Sequence, residues 1–327
     1  MSTSTGPATR PAGARPVHRS VRRPGGGPTR NGRTSAVPPQ GPRTPRRRPG
    51  RRGRSGRRAA VDLAGLVVFV LCVFPVYWMV STSFQPRNVI RAPEPTWHPF
   101  GGNLDSYRRL FAGGEFLPAL RTSLAVTLLT VAVALLFAFL AAVAVSRFRF
   151  RGRRSFVLTL LVVQMVPAEG LFISQYKMLE GWQLLNTVVG LSLMYVACVL
   201  PFTVWTLRGF VAGVPYELEE AAMVDGCSRT RAFFQITFPL LAPGLVAAGV
   251  FGFIQAWNEF TLALVVMTRE DMQTLPVWLS TFTDVNRGTD WGAVMAGSTL
   301  IAIPVVIFFV LVQGRMTSGL VAGAVKG

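Results

Sequence analysis

Six carboxylates stand out by where they lie. Glu217, Glu219, Glu220 and Asp225 crowd a polar stretch, Pro215 to Pro239 (PYELEEAAMVDGCSRTRAFFQITFP), set between two long apolar runs. Glu169 and Glu259 lie inside apolar runs, where an ionisable group is costly and marks function by default. Glu169 follows Pro167 and precedes Gly170, a place where a helix breaks and lines a cavity; it either faces a polar path or sits near a membrane interface. Asn258 and Glu259, beside Trp257, are expected first to pack or gate against a neighbouring helix and second to meet a solute. An enzyme would gather nucleophile, base or metal ligands at one depth, and no such set is spelled out. Cys72, Cys198 and Cys227 and the two histidines, His18 and His98, fall at unrelated positions, so neither a disulfide framework nor a metal site is expected. The only lysines, Lys177 and Lys326, do not follow G-x-x-x-x-G-K-[ST], so a nucleotide-binding loop of that type is absent.

The polar stretch reads as helix, turn, helix. Pro215 suits a first helical turn, and the glutamates after it place negative charge where the helix dipole favours it. Gly226 fits the C′ position, where positive φ is needed. Ser228 caps a second helix that Pro239 and Pro243 are expected to end. Spacing puts Leu218, Ala221, Ala222 and Asp225 on one face, with two alanines that let another surface approach closely.

The elements that must position these groups are apolar. Half of the 327 residues are hydrophobic, yet the formal net charge is +19, because charge and apolar residues are segregated. Residues 1–58 hold sixteen of the 32 arginines, ten prolines, ten glycines and no acid, leaving a net +3 for the rest. That segment cannot bury enough surface to fold and is expected to be a disordered tail, with 59–327 the folded domain. Without aromatics to stack on bases it is not expected to bind nucleic acid; it precedes an apolar span, where it fixes topology and meets anionic headgroups of the lipid bilayer.

Six stretches have the roughly 20 apolar residues a bilayer needs: Leu63 to Phe84, Thr122 to Ser146, Ser155 to Tyr176, Asn186 to Leu207, Gly244 to Met267 and Trp291 to Gly314. The expected fold is all-α, a polytopic membrane protein with six transmembrane helices and both termini on one side. Lys/Arg bias makes that side cytoplasmic, together with the polar stretch. Arg outnumbers Lys 32 to 2, which points to a GC-rich bacterial genome and so to a bacterial cell membrane.

Glu220-Ala221-Ala222, then Gly226, Ile236, Phe238 and Pro239 at their spacing resemble the EAA loop of ABC-importer permeases, with Phe238 where the family usually has Leu. Met165-Val166-Pro167, Trp257 to Phe260 and Gly319 to Gly327 narrow the resemblance to the carbohydrate-type, maltose-permease-like group; Thr122 and Val143 depart from its pattern. The resemblance implies a cytoplasmic coupling helix that contacts an ATPase through Glu217, Glu220, Ala221, Ala222, Asp225 and Gly226. It also implies a translocation path near Glu169, Asn258 and Glu259. Expected partners are a second homologous permease, two ATPase subunits that bind the ATP, and an extracytoplasmic solute-binding protein. The chain itself is expected to hold no cofactor and to be no enzyme. The cargo is expected to be a sugar or oligosaccharide moved by alternating access, with a non-sugar solute such as glycerol phosphate, or an ion-coupled secondary transporter, as the alternatives.

Overall fold

The computed structural model describes residues 52–94, 96, 97, 102–284 and 288–324, with the side chains of those from Ala59 to Gly314 other than Ala168. Residues 1–51 of the expected tail lie outside the described residues. The chain separates into two units, Met1–Ala59 and Ala60–Gly327, and the elements that carry the site belong to the second.

In chain order the helices are α1 (Arg52–Ser83), α2 (Arg87–Ile90), α3 (Asp105–Ala112), α4 (Phe116–Arg147), α5 (Arg153–Val163), α6 (Phe172–Gly181), α7 (Val188–Gly213), α8 (Glu217–Val224), α9 (Arg229–Ala232), α10 (Phe238–Asn258), α11 (Thr261–Val266), α12 (Leu275–Ser280) and α13 (Trp291–Ala324). A two-residue antiparallel ribbon, β1 (Thr283–Asp284) with β2 (Gly288–Thr289), precedes α13. Helix α1 starts inside the stretch expected to be disordered, because Arg, a good helix former, lets the span's helix extend toward the N-terminus.

The core is three long helices, α4, α7 and α10, in mutual contact. Ala134, Ala138 and Ala142 recur every fourth residue on the buried face of α4, and small residues there let helix backbones approach. Gly244 serves the same end in α10, since a Cβ at that position would lie 2.5 Å from the Phe210 ring of α7. Among the described residues of α1, none between Ala59 and Tyr77 is buried, so its apolar surface faces outward.

Five helices among the described residues are long and apolar enough to cross a membrane: Ala59–Ser83, Phe116–Arg147, Val188–Gly213, Arg229–Asn258 and Trp291–Gly314. Three sequence expectations change. The stretch from Ser155 to Tyr176 is not one span: α5 stops at Val163 and α6 starts at Phe172, with Pro167 extended and Ala168–Leu171 in a 3-10 turn. Pro167 cannot donate to the helical ladder and disfavours helix in Val166 before it. The second helix of the polar stretch does not end at Pro239. A π turn over Phe233–Thr237, in which Phe238 N–H reaches Phe233 O, carries α9 into α10 and resets the hydrogen-bond ladder just before the proline. The fifth span stops at Asn258 rather than Met267, because the Glu259 carboxylate accepts from Leu262 N–H (2.7 Å) and Ala263 N–H (3.1 Å) and so caps the separate α11.

At the end of the bundle where α4 begins, Asp290 clamps the entry to α13. It accepts from Arg87 and Ala293 N–H, and Arg109 lies 3.6 Å away. Burial alone would raise the Asp290 carboxyl, but the Arg87 hydrogen bond, the Ala293 N–H and the arginine charges outweigh it and hold the group below its ordinary value. A carboxyl whose folded value is depressed stabilises the fold above its unfolded value of 3.8, and that contribution is lost as pH falls through the lower folded value. Because Arg87 is half exposed, Asp290→Asn is expected to lower stability at neutral pH by no more than about 1 kcal/mol. Thermal unfolding of the purified complex against pH checks this: the gap between wild type and variant should close in acid, and a gap independent of pH would contradict it.

Candidate functional site: a clamped helix and a glutamate-walled cavity

Helix α8 ends where Gly226 predicts but starts at Glu217, so Pro215 lies before its first turn and not in it. Gly226 takes φ +92°, Gly226 N–H donates to Met223 O and Cys227 N–H to Ala222 O, the paired bonds of a Schellman stop. Ser228 Oγ then accepts from Arg231 N–H and opens α9.

What holds α8 in place is a buried ionic cluster. Glu219, only 3% exposed, lies 3.2 Å from Arg147 at the C-terminus of α4, and its Oε1 also accepts from Thr237 Oγ1 at 2.6 Å. Arg147 donates to Val214 O in the α7–α8 link and lies over the Tyr216 ring, 5.6 Å from its centroid. One carboxylate thus ties α8 to the end of α4 and to the π turn that leads into α10, while its arginine grips the link from α7. Helix α8 is thereby joined to three long helices. The sequence marks Glu219 only as one of the acids at the start of the helix, and does not pair it with Arg147. The only local signal was a carboxylate three residues before Ala222, and the partners that make it special are remote in the chain.

The clamp also decides which face is free. Ala222 is 6% exposed and turned toward its own chain with Glu219, so it does not share an outer face with Leu218, Ala221 and Asp225 as spacing alone implied. The turn of helix that buries Glu219 must bury the residue three further on. Glu217, Glu220, Ala221, Asp225 and Gly226 are exposed, as are Leu218 (41%) and Val224 (87%). The side chains of Glu217, Glu220 and Asp225 make no ion pair or hydrogen bond among the described residues. Two large apolar side chains and three unpaired carboxylates thus share the outer side of α8, without a partner among the described residues.

The intramembrane glutamates come together elsewhere. Glu169, in the 3-10 turn between α5 and α6, and Glu259, after α10, both wall a cavity of about 270 Å³ with Gln175, Tyr195 and Gln255. Tyr195 of α7 donates to Glu259 Oε2 at 2.6 Å, so Glu259 bonds a neighbouring helix while capping α11. Asn258 is not part of this wall; it is exposed and donates to Ile254 O within its own helix. Among the described residues no group of three or more His, Cys, Asp or Glu is placed to hold a metal.

A bundle of membrane-length helices with a short polar helix clamped across its base, and a cavity beside a broken span, is the architecture of a transport permease. Residues 117–320 match the family model "Binding-protein-dependent transport system inner membrane component", and the chain belongs to that family. It is 46% identical over 270 residues, 83% of this chain and 98% of the relative, to the diacetylchitobiose uptake system permease protein DasC of Streptomyces coelicolor. It is 35% identical over 254 residues, 77% of this chain and 92% of the relative, to the trehalose transport system permease protein SugB of Mycobacterium tuberculosis. The fold is similar to that of a chain in the crystal structure of a bacterial ABC transporter that imports the acidic polysaccharide alginate, with TM-score 0.67 and 21% identity over 81% of this chain and 98% of that one. The chain is thus an inner membrane component with several membrane-spanning helices.

Proposed function

We propose that this chain is the permease subunit of an ATP-driven importer that moves a sugar or oligosaccharide into a bacterial cell. It works beside a second, homologous permease, with two ATPase subunits that bind and hydrolyse the ATP and an extracytoplasmic solute-binding protein that delivers the sugar. Both termini and α8 face the cytoplasm, and α5 with α6 supplies the sixth crossing as a discontinuous helix. The observation that carries this reading is the arrangement of α8. A helix of two turns presents Leu218 and Val224 outward among acidic side chains, while its inner face is locked by Glu219 and Arg147 to the long helices. That suits a lever: an ATPase cleft grips the outer face, and its closure moves the bundle between inward-open and outward-open forms. Glu169 and Glu259 border the path. The names of the relatives, which include diacetylchitobiose and trehalose systems, support a small oligosaccharide as cargo.

The test reconstitutes both permeases with the ATPase and binding protein encoded beside them, and follows uptake of labelled diacetylchitobiose and trehalose. Uptake that needs ATP, the ATPase and the binding protein is expected. Uptake driven by an ion gradient without ATP would replace the reading with a secondary transporter.

A further inference from the structure

The break between α5 and α6 opens onto two adjoining cavities, of about 270 and 670 Å³, that share Gln175, Cys198 and Gln255 in their walls. The larger presents Phe202 and Phe251, whose rings lie 3.9 Å apart. The smaller is bordered by Glu169 and Glu259.

This lining suits a polyhydroxylated ring. Glutamine amides both donate and accept, as sugar hydroxyls do, and aromatic faces take the C–H face of a pyranose. Gln175 lines both cavities and its Oε1 has no hydrogen-bond partner among the described residues, an unmet acceptor that a small rotation of the amide turns toward an incoming hydroxyl. The Gln255 side chain makes no hydrogen bond among the described residues either, and is exposed to the cavity.

The charge of the lining sets which sugars are admitted. Both oxygens of Glu259 are occupied by Tyr195 and the backbone of α11. The Glu169 side chain has no ion pair or hydrogen bond among the described residues, and no described residue lining either cavity is Lys, Arg or His. A second anion in this space would meet a carboxylate with no counter-charge, and in a medium of effective dielectric near 20 that repulsion weakens binding by about tenfold or more.

Given the importer reading above, we propose that these joined cavities are this chain's own saccharide subsite, and that Glu169 makes it selective for neutral or cationic sugars against uronates and other anionic ones. Specificity of the importer then resides partly in the permease, and not only in the binding protein that delivers the cargo.

The experiment uses the assembled complex in nanodiscs, without binding protein, and reads ligand binding by saturation-transfer NMR. The probes are three disaccharides of one size: diacetylchitobiose (neutral), chitobiose (cationic) and digalacturonate (anionic). Wild type is expected to bind the first two, with digalacturonate about tenfold weaker. Glu169→Gln keeps shape and removes charge, so it should bring digalacturonate to within about threefold of the neutral sugar. Gln175→Leu should weaken all three sugars by about tenfold, because it removes the amide and leaves hydroxyls unpaired. A charge series unaltered by Glu169→Gln, or neutral binding indifferent to Gln175→Leu, overturns the proposal. ATP hydrolysis stimulated by loaded binding protein, measured on the same complexes, reports the importer reading separately. If it is intact while the probes ignore both variants, the subsite is wrong and the importer stands.

Discussion

Glu219→Ala is expected to abolish sugar uptake while leaving the permease inserted in the membrane. The variant leaves Arg147 buried without its carboxylate and Thr237 without its acceptor, and removing one partner of a buried ion pair typically destabilises by about 3–5 kcal/mol. Nothing in the long helices depends on that carboxylate for insertion, so the loss falls on the seating of α8. ATP hydrolysis should then persist without stimulation by loaded binding protein, or the ATPase should be lost from the complex. Glu219→Gln should do less, since its amide oxygen still accepts from Thr237 Oγ1. Replacing Arg147 and Glu219 together by apolar residues of similar volume should recover part of the uptake, because a buried pair often exchanges for packing with little loss. The measurements are uptake, ATP hydrolysis and co-purification of the ATPase in membranes with equal permease content. Normal coupled uptake in Glu219→Ala would mean that the clamp is not the route by which α8 moves the bundle.

The limits of α8 were legible because each depends on a few neighbouring residues. Three glutamates start a helix two residues after Pro215, Gly226 at φ +92° stops it, and Ser228 caps the next. The clamp was not legible because its members come from the end of α4, from α8 and from the π turn, and only folding brings Arg147, Glu219 and Thr237 together. The same reason explains the misplaced face. Apolar spacing marks a stripe, but here a carboxylate takes the inner position and draws Ala222 in with it. Length and hydropathy located the membrane helices, since a bilayer demands long apolar runs whatever their packing. They did not locate the interruptions at Pro167 and Glu259, although Pro167, Glu169 and Gly170 together marked the first as a place where a helix breaks. In the first a proline breaks a ladder that hydropathy cannot see, and in the second a glutamate trades a continuous helix for the cap of a short one. Glu169 and Glu259 were legible as anomalies, and their sharing of one cavity was not.

Ala222→Arg is the second variant expected to stop transport, and the burial of Ala222 changes the reason. The arginine would not project into a docking surface; it would be forced between α8 and its own bundle, where overpacking costs about 1–3 kcal/mol before the charge is counted. Its escape is to lever α8 away from the π turn, pulling Glu219 from Arg147. Gly226 offers a comparison that separates shape from bulk. A Cβ there would meet nothing within 4 Å in this chain, so substitution is harmful only through the positive φ. Gly226→Val should carry about 1–2 kcal/mol of backbone strain and reduce uptake severely. Gly226→Asn has a side chain of similar size but enters positive φ with less strain, and should be less damaging than Gly226→Val. The expected order of damage is therefore Ala222→Arg, then Gly226→Val, then Gly226→Asn, read as uptake and ATPase retention at equal permease content. If Gly226→Asn proves as damaging as Gly226→Val, strain is not the cause. The open space beside Gly226 must then be filled by the ATPase itself, and the turn, rather than Leu218 and Val224 alone, would belong to the docking surface. If Ala222→Arg transports normally, α8 does not need its seat on the bundle, and the lever has no fulcrum.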